Sequence, residues 1–173
     1  FTINFHGHRL NADHLRRPEA GYIATHGKDV FFANNEWFRG LDLVSGPDGS
    51  VYVADWSDAG ECHENDGVHR TSGRIYRLTY GEPGAITFDD LSKMSDAELV
   101  SLQLHRNDWY VRQTRRLLQE RAADGRDLSR ARAALLDMFS QQKDETRRLR
   151  ALWCLYGMGA VDEEWLSERL VDP

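Results

Sequence analysis

Long apolar segments and a dense cysteine pattern are both missing from this chain. No run approaches the length of about 18 apolar residues that a membrane-spanning helix needs, so the sequence predicts no transmembrane segment. Only two cysteines occur, Cys62 and Cys154, and they permit one disulfide without requiring it. No charged and then apolar leader stands at Phe1, so we expect any export signal to lie upstream of this sequence.

An excess of basic charge is missing as well. The 173 residues carry a formal net charge of −6, and the arginines of the second half alternate with acids rather than with aromatic rings. This pattern is typical of solvated helix faces and argues against nucleic acid as a partner. Hydrophobic residues form 40% of the chain, which is enough to build a folded core.

The composition changes at residues 81–84, which read Gly-Glu-Pro-Gly. Glycine, aromatic and β-branched residues dominate before this point. Leucine, alanine, arginine and glutamate dominate after Asp89, and proline almost disappears. The sequence therefore predicts a β unit over residues 1–84 and a helical unit over residues 90–173.

Residues 38–80 have the organisation of one β-propeller blade. Two β-rich runs are joined by a Gly-Pro-Asp-Gly turn, in which Pro47 sets the first corner and Gly49 supplies the open position. A loop dense in acids, histidine and cysteine follows, and then a third run. We predict one antiparallel sheet from three strands, at 40–45, 51–56 and 74–80.

A single blade cannot cover its own flat faces, and a propeller closes with about four to eight blades. At about 40–45 residues per blade, the β unit has sequence for about two. We therefore expect a mixed fold, β and then α, in which part of a β-propeller precedes helical repeats. We also expect the chain to be a piece of a larger protein, and its open sheet edge to associate in solution.

The second half predicts a row of short amphipathic helices. Ser95 and Glu98 have the spacing of a capping box, and the helix that begins at Asp108 ends before Gly125. Aromatic residues Trp109, Tyr110, Trp153 and Trp165 are expected to pack between helices. The side chains predicted to face the core of three helices are Val111, Thr114, Leu117 and Leu118, then Leu128, Ala131, Leu135 and Met138, then Leu149, Leu152, Trp153 and Tyr156.

Two helix starts match each other at an offset of about 36 residues, Asp108 with Arg112 and Asp144 with Arg148. That period suits helical hairpins of the HEAT or armadillo type, which stack to share a core. A small irregular helical bundle is the alternative interpretation.

Polar side chains concentrate at a His-Gly-His-Arg cluster, residues 6–9, and just after the second predicted strand, residues 55–63. Loops on one propeller face converge, so these groups are predicted to gather at one face. Their members are His6, His8, Asp55, Asp58 and His63.

Four interpretations of these residues remain open. Asp55, Asp58 and Glu61 offer the oxygen ligands that Ca²⁺ prefers. A softer metal would instead use the two histidines of the cluster with Cys62 and His63. A histidine with Arg9 or Arg70 beside it suits a general base acting on a sugar hydroxyl. The structural interpretation has Arg39 and Arg70 paired with the two aspartates and Trp56 in the core.

Several stretches together resemble a known family. They are HGHRLN at 6–11, NEWFRGLDL at 35–43, GPDGSVYVADWSDAGECH at 46–63, HRTSGRIYRLTYG at 69–81 and, less specifically, RNDWYVRQTRRLLQER at 106–121. The family is the membrane-bound dehydrogenase-like family of planctomycetes and verrucomicrobia, of the haem-binding CxxCH type. Its members look like sorbosone or glucose dehydrogenase propellers followed by HEAT-like helices and a c-type cytochrome segment.

This resemblance implies a fragment of an exported quinoprotein-like dehydrogenase, periplasmic or secreted, that oxidises a sugar or polyol. It implies pyrroloquinoline quinone (PQQ) and calcium in the full-length protein and an electron-accepting haem c domain. No CxxCH occurs here, so we expect this chain alone to be inactive. The alternative is a non-catalytic propeller and repeat scaffold that binds glycans or protein partners. The residues assigned to these roles are His6, His8, Arg9 and His63 for catalysis, Trp37, Arg39, Asp55, Trp56 and Arg70 for the cofactor, and Asp55, Asp58 and Glu61 for the metal.

Overall fold

The structure, a computed structural model, describes residues 1–18, 21–59, 71–86 and 90–171. The chain divides into two compact units, Phe1–Gly84 and Ala85–Pro173. Within the described residues, three small antiparallel sheets, none of them closed, precede five α-helices. The predicted order of β and then α is therefore confirmed, while the propeller and the helical repeats remain predictions.

The β unit contains eight short strands in the part of the chain that the structure describes. The first sheet has the order β1-β2-β5, the second pairs β3 with β4, and the third has the order β6-β7-β8. The strands are β1 (Thr2–Asn4), β2 (Arg9–Asn11), β3 (Asp13–Arg16), β4 (Ile23–His26), β5 (Phe31–Phe32), β6 (Gly40–Ser45), β7 (Val51–Asp55) and β8 (Arg74–Leu78).

The third sheet confirms the strand pairing predicted from the turn. Strand β7 pairs antiparallel with β6 on one side and with β8 on the other. The turn forms because Gly49 adopts φ +80° and the amide of Gly46 donates to the carbonyl of Ser50 at 2.8 Å. The Asp48 carboxylate accepts from the Ser50 amide at 3.0 Å, which holds the corner.

The core of the β unit lies between the first and third sheets. Leu10, Phe38 and Val53 are fully buried there. Phe38 makes edge contacts with two further rings, Phe31 at 5.4 Å and Tyr76 at 5.8 Å between centroids. Burial of aromatic rings in this geometry stabilises the packing of one sheet on the other.

The His-Gly-His-Arg cluster does not lie in one extended run. Residues 5–8 form the turn between β1 and β2, and His8 has φ 51°, in the left-handed region. Strand alternation would have placed His6 and His8 on the same side of an extended run, but it does not apply within a turn.

The helical unit contains five α-helices and three short 3-10 segments in its described residues. Helix α1 packs on α2 and α3 packs on α4, while α1 also contacts α3 and α2 contacts α4. The helices are α1 (Asp96–Ser101), α2 (Asp108–Ala123), α3 (Ser129–Gln141), α4 (Glu145–Gly157) and α5 (Glu163–Glu168). In the part of the chain that the structure describes, no helix has the length and apolar character needed to cross a membrane.

The helix starts follow the sequence signals, with one change of register. Ser95 and Glu98 form the predicted capping box, and Gly125 follows α2 with φ +76°. The N-cap of α2 is Asn107, whereas the N-cap of α4 is Asp144 itself. Equivalent helix positions are thus offset by 37 residues, 107 to 144, and the predicted 36-residue match does not align them.

The core of the helical unit confirms the predicted faces of α2 and α3 and corrects that of α4. On α4 the buried residues are Ala151, Cys154 and Leu155. Trp153 and Tyr156, predicted to face inward, are instead 47% and 65% exposed. Both stripes of α4 are apolar, and the stripe with the small residues Ala151 and Cys154 allows the neighbouring helices to approach closely.

Candidate functional site

An open cleft of about 750 Å³ lies at the end of the first sheet. Its volume falls within the roughly 300–1,000 Å³ typical of small-molecule sites. The residues that line it include two aromatic residues, two asparagines, a glutamate and a histidine. The lining residues are Gly7, His8, Phe32, Ala33, Asn34, Asn35, Glu36 and Trp37.

The backbone at the cleft is held in an uncommon conformation. Among the described residues, three non-glycine residues have positive φ, and two of them, His8 at 51° and Asn34 at 48°, line the cleft. The amide of Ala33 donates to the carbonyl of His8 at 3.1 Å, which ties the two segments together. Left-handed backbone costs a non-glycine residue about 1–3 kcal/mol and is concentrated at functional sites.

Arg39 connects the cleft to the interior of the β unit. It is 7% exposed, and its guanidinium lies 5.4 Å from the ring centroid of Phe5. The guanidinium is within hydrogen-bond distance of the carbonyl oxygens of Glu36 (2.7 Å), Phe38 (3.0 Å) and Ala59 (2.7 Å) and of Nδ1 of His8 (2.8 Å). These contacts anchor the segment that carries the cleft residues.

Asp55 holds the other end of this network. Its side chain is fully buried, and Oδ1 accepts from the amides of Arg39 (2.8 Å) and Ser57 (3.0 Å). Oδ2 accepts from Nε of Arg74 at 2.7 Å, and the NH2 nitrogen of the same guanidinium also lies 2.7 Å away. Both carboxylate oxygens of Asp55 therefore serve internal contacts.

The side chains around Asp55 extend this network. Asp58 is 4% exposed, its amide donates to the carbonyl of Trp37 at 2.8 Å, and Nε1 of Trp56 lies 3.4 Å from its Oδ2. Trp56 is 54% exposed and so does not lie in the core of this unit, where the structural interpretation had it. Burial raises the pKa of the neighbouring Tyr76 phenol, with Arg74 acting in the opposite direction, so this ring stays neutral at ordinary pH.

The structure brings only part of the predicted site together. His8 and Asp55 both contact Arg39, and Asp58 lies beside Trp37. His6 is exposed in the turn and packs edge-on against Phe5, with 5.3 Å between ring centroids.

Arg9 lies next to Phe32, one of the residues that line the cleft. Its guanidinium is 5.7 Å from the ring centroid of Phe32, and its Nε is 3.4 Å from the carboxylate of Asp29. Strands β2 and β5 bring Arg9 opposite Phe32 in register. Arg9 therefore supports an aromatic wall of the cleft.

The described residues form no set of side chains that could serve as the predicted metal ligands. Within residues 1–18, 21–59, 71–86 and 90–171, no group of three or more histidine, cysteine, aspartate or glutamate side chains could hold a metal ion. Glu61, Cys62, His63 and Arg70 lie outside the described residues. The calcium site, the softer metal site and the roles of His63 and Arg70 remain predictions.

Two cleft residues, His8 and Trp37, belong to the predicted site, whereas six do not: Gly7, Phe32, Ala33, Asn34, Asn35 and Glu36. Asn34 carries a signal that points to it, because asparagine tolerates the left-handed conformation and often turns the chain. Phe32 and Glu36 carry none, since their placement depends on how β5 pairs with β2.

Comparison of the chain with protein-family models, with curated proteins and with solved structures finds no match in any of the three. The geometry of the cleft and of the network around Arg39 is therefore the basis for interpreting function.

Proposed function

We propose that the β unit supplies a binding cleft for a sugar or polyol, within a quinoprotein-like dehydrogenase of the family that the sequence resembles. The observation that carries this proposal is the composition of the cleft, in which the aromatic residues Phe32 and Trp37 adjoin Asn34, Asn35 and Glu36. A sugar ring has apolar C–H faces that pack on aromatic rings, and its hydroxyls both donate and accept hydrogen bonds. Amide side chains do both as well, and a carboxylate accepts.

The resemblance places this cleft in an enzyme that oxidises an alcohol. In such an enzyme PQQ would supply the hydride acceptor. Of the residues assigned to the cofactor, Trp37 and Trp56 present accessible ring surface, whereas Arg39 and Asp55 are buried and engaged internally. This donor set is a poor fit for a quinone carboxylate, so we assign the described residues to the sugar and none of them to the quinone.

We further propose that α1 to α4 are two stacked helical hairpins of a HEAT-like array. Each hairpin packs internally, α1 on α2 and α3 on α4, and equivalent helices also contact each other, α1 with α3 and α2 with α4. Stacked hairpin repeats have this pattern of nearest-neighbour contacts.

A non-catalytic glycan-binding scaffold is the second candidate. The network around Arg39 favours it, because the buried ionic groups closest to the cleft serve to hold the backbone. The two candidates share the cleft and differ in whether bound sugar is oxidised.

Calorimetric titration of the 173-residue chain with monosaccharides and alditols tests the shared claim. We expect saturable binding that Trp37→Ala weakens by about tenfold, equivalent to about 1.4 kcal/mol. Trp153→Ala, in the helical unit, is the matched control and should bind as the parent does. The absence of heat with every sugar, or equal effects of the two tryptophan variants, would contradict the proposal.

A turnover assay then separates the candidates. Because the chain alone is expected to be inactive, the assay uses a longer protein with the preceding blades and the haem segment, supplied with PQQ, CaCl₂, a sugar that binds, and a dye that accepts electrons. Dye reduction that is lost in Trp37→Ala would support the dehydrogenase. Sugar binding without dye reduction in this longer protein would support the scaffold.

A further inference from the structure

Arg39 lies against one particular nitrogen of the cleft histidine. Its NH1 nitrogen is 2.8 Å from Nδ1 of His8. The carbonyl oxygen of Phe38 is 3.0 Å from both of these nitrogens. A guanidinium has five N–H donors and no acceptor. If NH1 and Nδ1 share a hydrogen bond at this distance, Nδ1 must be the acceptor.

The opposite arrangement is unfavourable. A proton on Nδ1 would point toward the Phe38 carbonyl and leave two N–H donors 2.8 Å apart, with no hydrogen between them.

We propose that Arg39 selects the tautomer of neutral His8 that carries its proton on Nε2, so that His8 donates a hydrogen bond to a ligand oxygen. This inference rests on the proposed function only for the identity of the ligand. Nδ1 is already an acceptor for Arg39, and a neutral ring has no other lone pair on nitrogen, so His8 in this state does not act as a general base. Arg39 is therefore a positioning residue that acts through His8.

This tautomer also defines what the cleft selects. His8 presents a donor, and the Glu36 carboxylate on the same cleft presents only acceptors. A hydroxyl, or a ring oxygen with a hydroxyl nearby, can accept from His8 and donate to Glu36. A single hydroxyl meets both requirements, because its oxygen accepts while its O–H donates, so the pair orients one hydroxyl of the ligand.

Nitrogen chemical shifts of the histidine rings test the inference in the ligand-free chain. The ¹⁵N-histidine-labelled protein is measured near pH 8 by long-range proton–nitrogen correlation, and His8→Gln assigns the His8 signals among the seven histidines. We expect Nδ1 at the shift of an unprotonated ring nitrogen and Nε2 at that of a protonated one. A proton on Nδ1, or an equal mixture of tautomers, would overturn the proposal.

Variants of Arg39 examine its positioning role. Arg39→Met removes every donor, and we expect the His8 signals to move toward a mixture of tautomers. Arg9→Met, which changes the arginine that packs on the ring of Phe32, should leave them unchanged. If Arg39→Met does not fold, the spectrum of the parent protein still decides the tautomer. Because no sugar is present, failure here is distinguishable from failure of the calorimetric titration.

Discussion

Asp55 and Arg74 are register partners on neighbouring strands, and their side chains form a partly buried ion pair with 2.7 Å between Nε and Oδ2. Asp55 is the last residue of β7 and Arg74 is the first of β8. The same carboxylate accepts from the amide of Arg39, whose guanidinium contacts the cleft. The ion pair therefore links the third sheet to the segment that forms the candidate site.

Asp55→Asn tests this link. The substitution keeps one carbonyl oxygen but removes the charge opposite Arg74, and we expect the β unit to lose about 2–3 kcal/mol of stability. Hydrogen exchange of the β7 and β8 amides measures the loss of stability in the β unit separately from the helical unit. Asp42→Asn is the matched control, because Asp42 is exposed and its Oδ1 accepts from the amide of the next residue, Leu43. Equal exchange in the two variants would show that the ion pair does not hold the strands.

The exposed stripe of α4 provides a second prediction. Leu155 is fully buried, whereas its neighbour Tyr156 is 65% exposed. We expect Leu155→Ala to destabilise the helical unit by about 2–5 kcal/mol through a core cavity. Tyr156→Ala should cost no more than about 0.5 kcal/mol, as surface substitutions do. Urea unfolding followed by helical circular dichroism makes the comparison, and the reverse order of effects would restore the face predicted from the sequence.

The sequence predicts correctly those features of the fold that depend on residues close together in the chain. The turn at Gly49 and the capping box at Ser95 each depend on residues at most four positions apart, and both form as predicted. The face of α4 could not be deduced in this way, because both of its stripes are apolar and periodicity does not say which one meets the core.

The site depends on contacts that are distant along the chain. Arg39 contacts His8, 31 positions earlier, and Ala59, 20 positions later. No local sequence pattern predicts these contacts. The sequence does not place a turn at residues 5–8 unambiguously, because Gly7 stands between two histidines, which carry no strong turn signal. Only the pairing of β1 with β2 shows that it is a hairpin.

Cys154 is predicted to be unreactive in the folded chain. Burial raises the pKa of its thiol from 9.0 to about 12, with Arg115 acting in the opposite direction. Because the thiolate is the nucleophile, iodoacetamide at pH 8 should label Cys154 only after unfolding. Mass spectrometry of the peptide that contains Cys154 measures this, and rapid labelling without urea would contradict the buried position.

The same thiol makes stability depend on pH. Its pKa is higher in the folded state, so its contribution is fully present below about pH 9 and is lost as the pH rises toward about 12. The urea midpoint of the helical unit should therefore fall more steeply between pH 8 and pH 10.5 in the parent than in Cys154→Ala. Parallel slopes would show that the thiol does not contribute.

Strand β8 leads to a prediction about association. It pairs with β7 on one side, and within the described residues no strand pairs with its other side. Ile75 on this strand is 78% exposed. An open edge with exposed apolar side chains promotes edge-to-edge pairing, so we expect concentration-dependent association of the chain. Light scattering should show less association for Ile75→Lys than for the parent, and a clean monomer over a wide concentration range would contradict the prediction.

The most direct test of the central claim is to map sugar binding onto the backbone amides. A polyol that binds in calorimetry is titrated into the ¹⁵N-labelled chain, and amide shifts are followed residue by residue. We predict that the largest shifts occur at Gly7, His8 and residues 32–37, the residues that line the cleft, with little change in α1 to α5. Shifts confined to other parts of the chain, or saturation without any shift at the cleft, would contradict the assignment of this cleft as a sugar or polyol site.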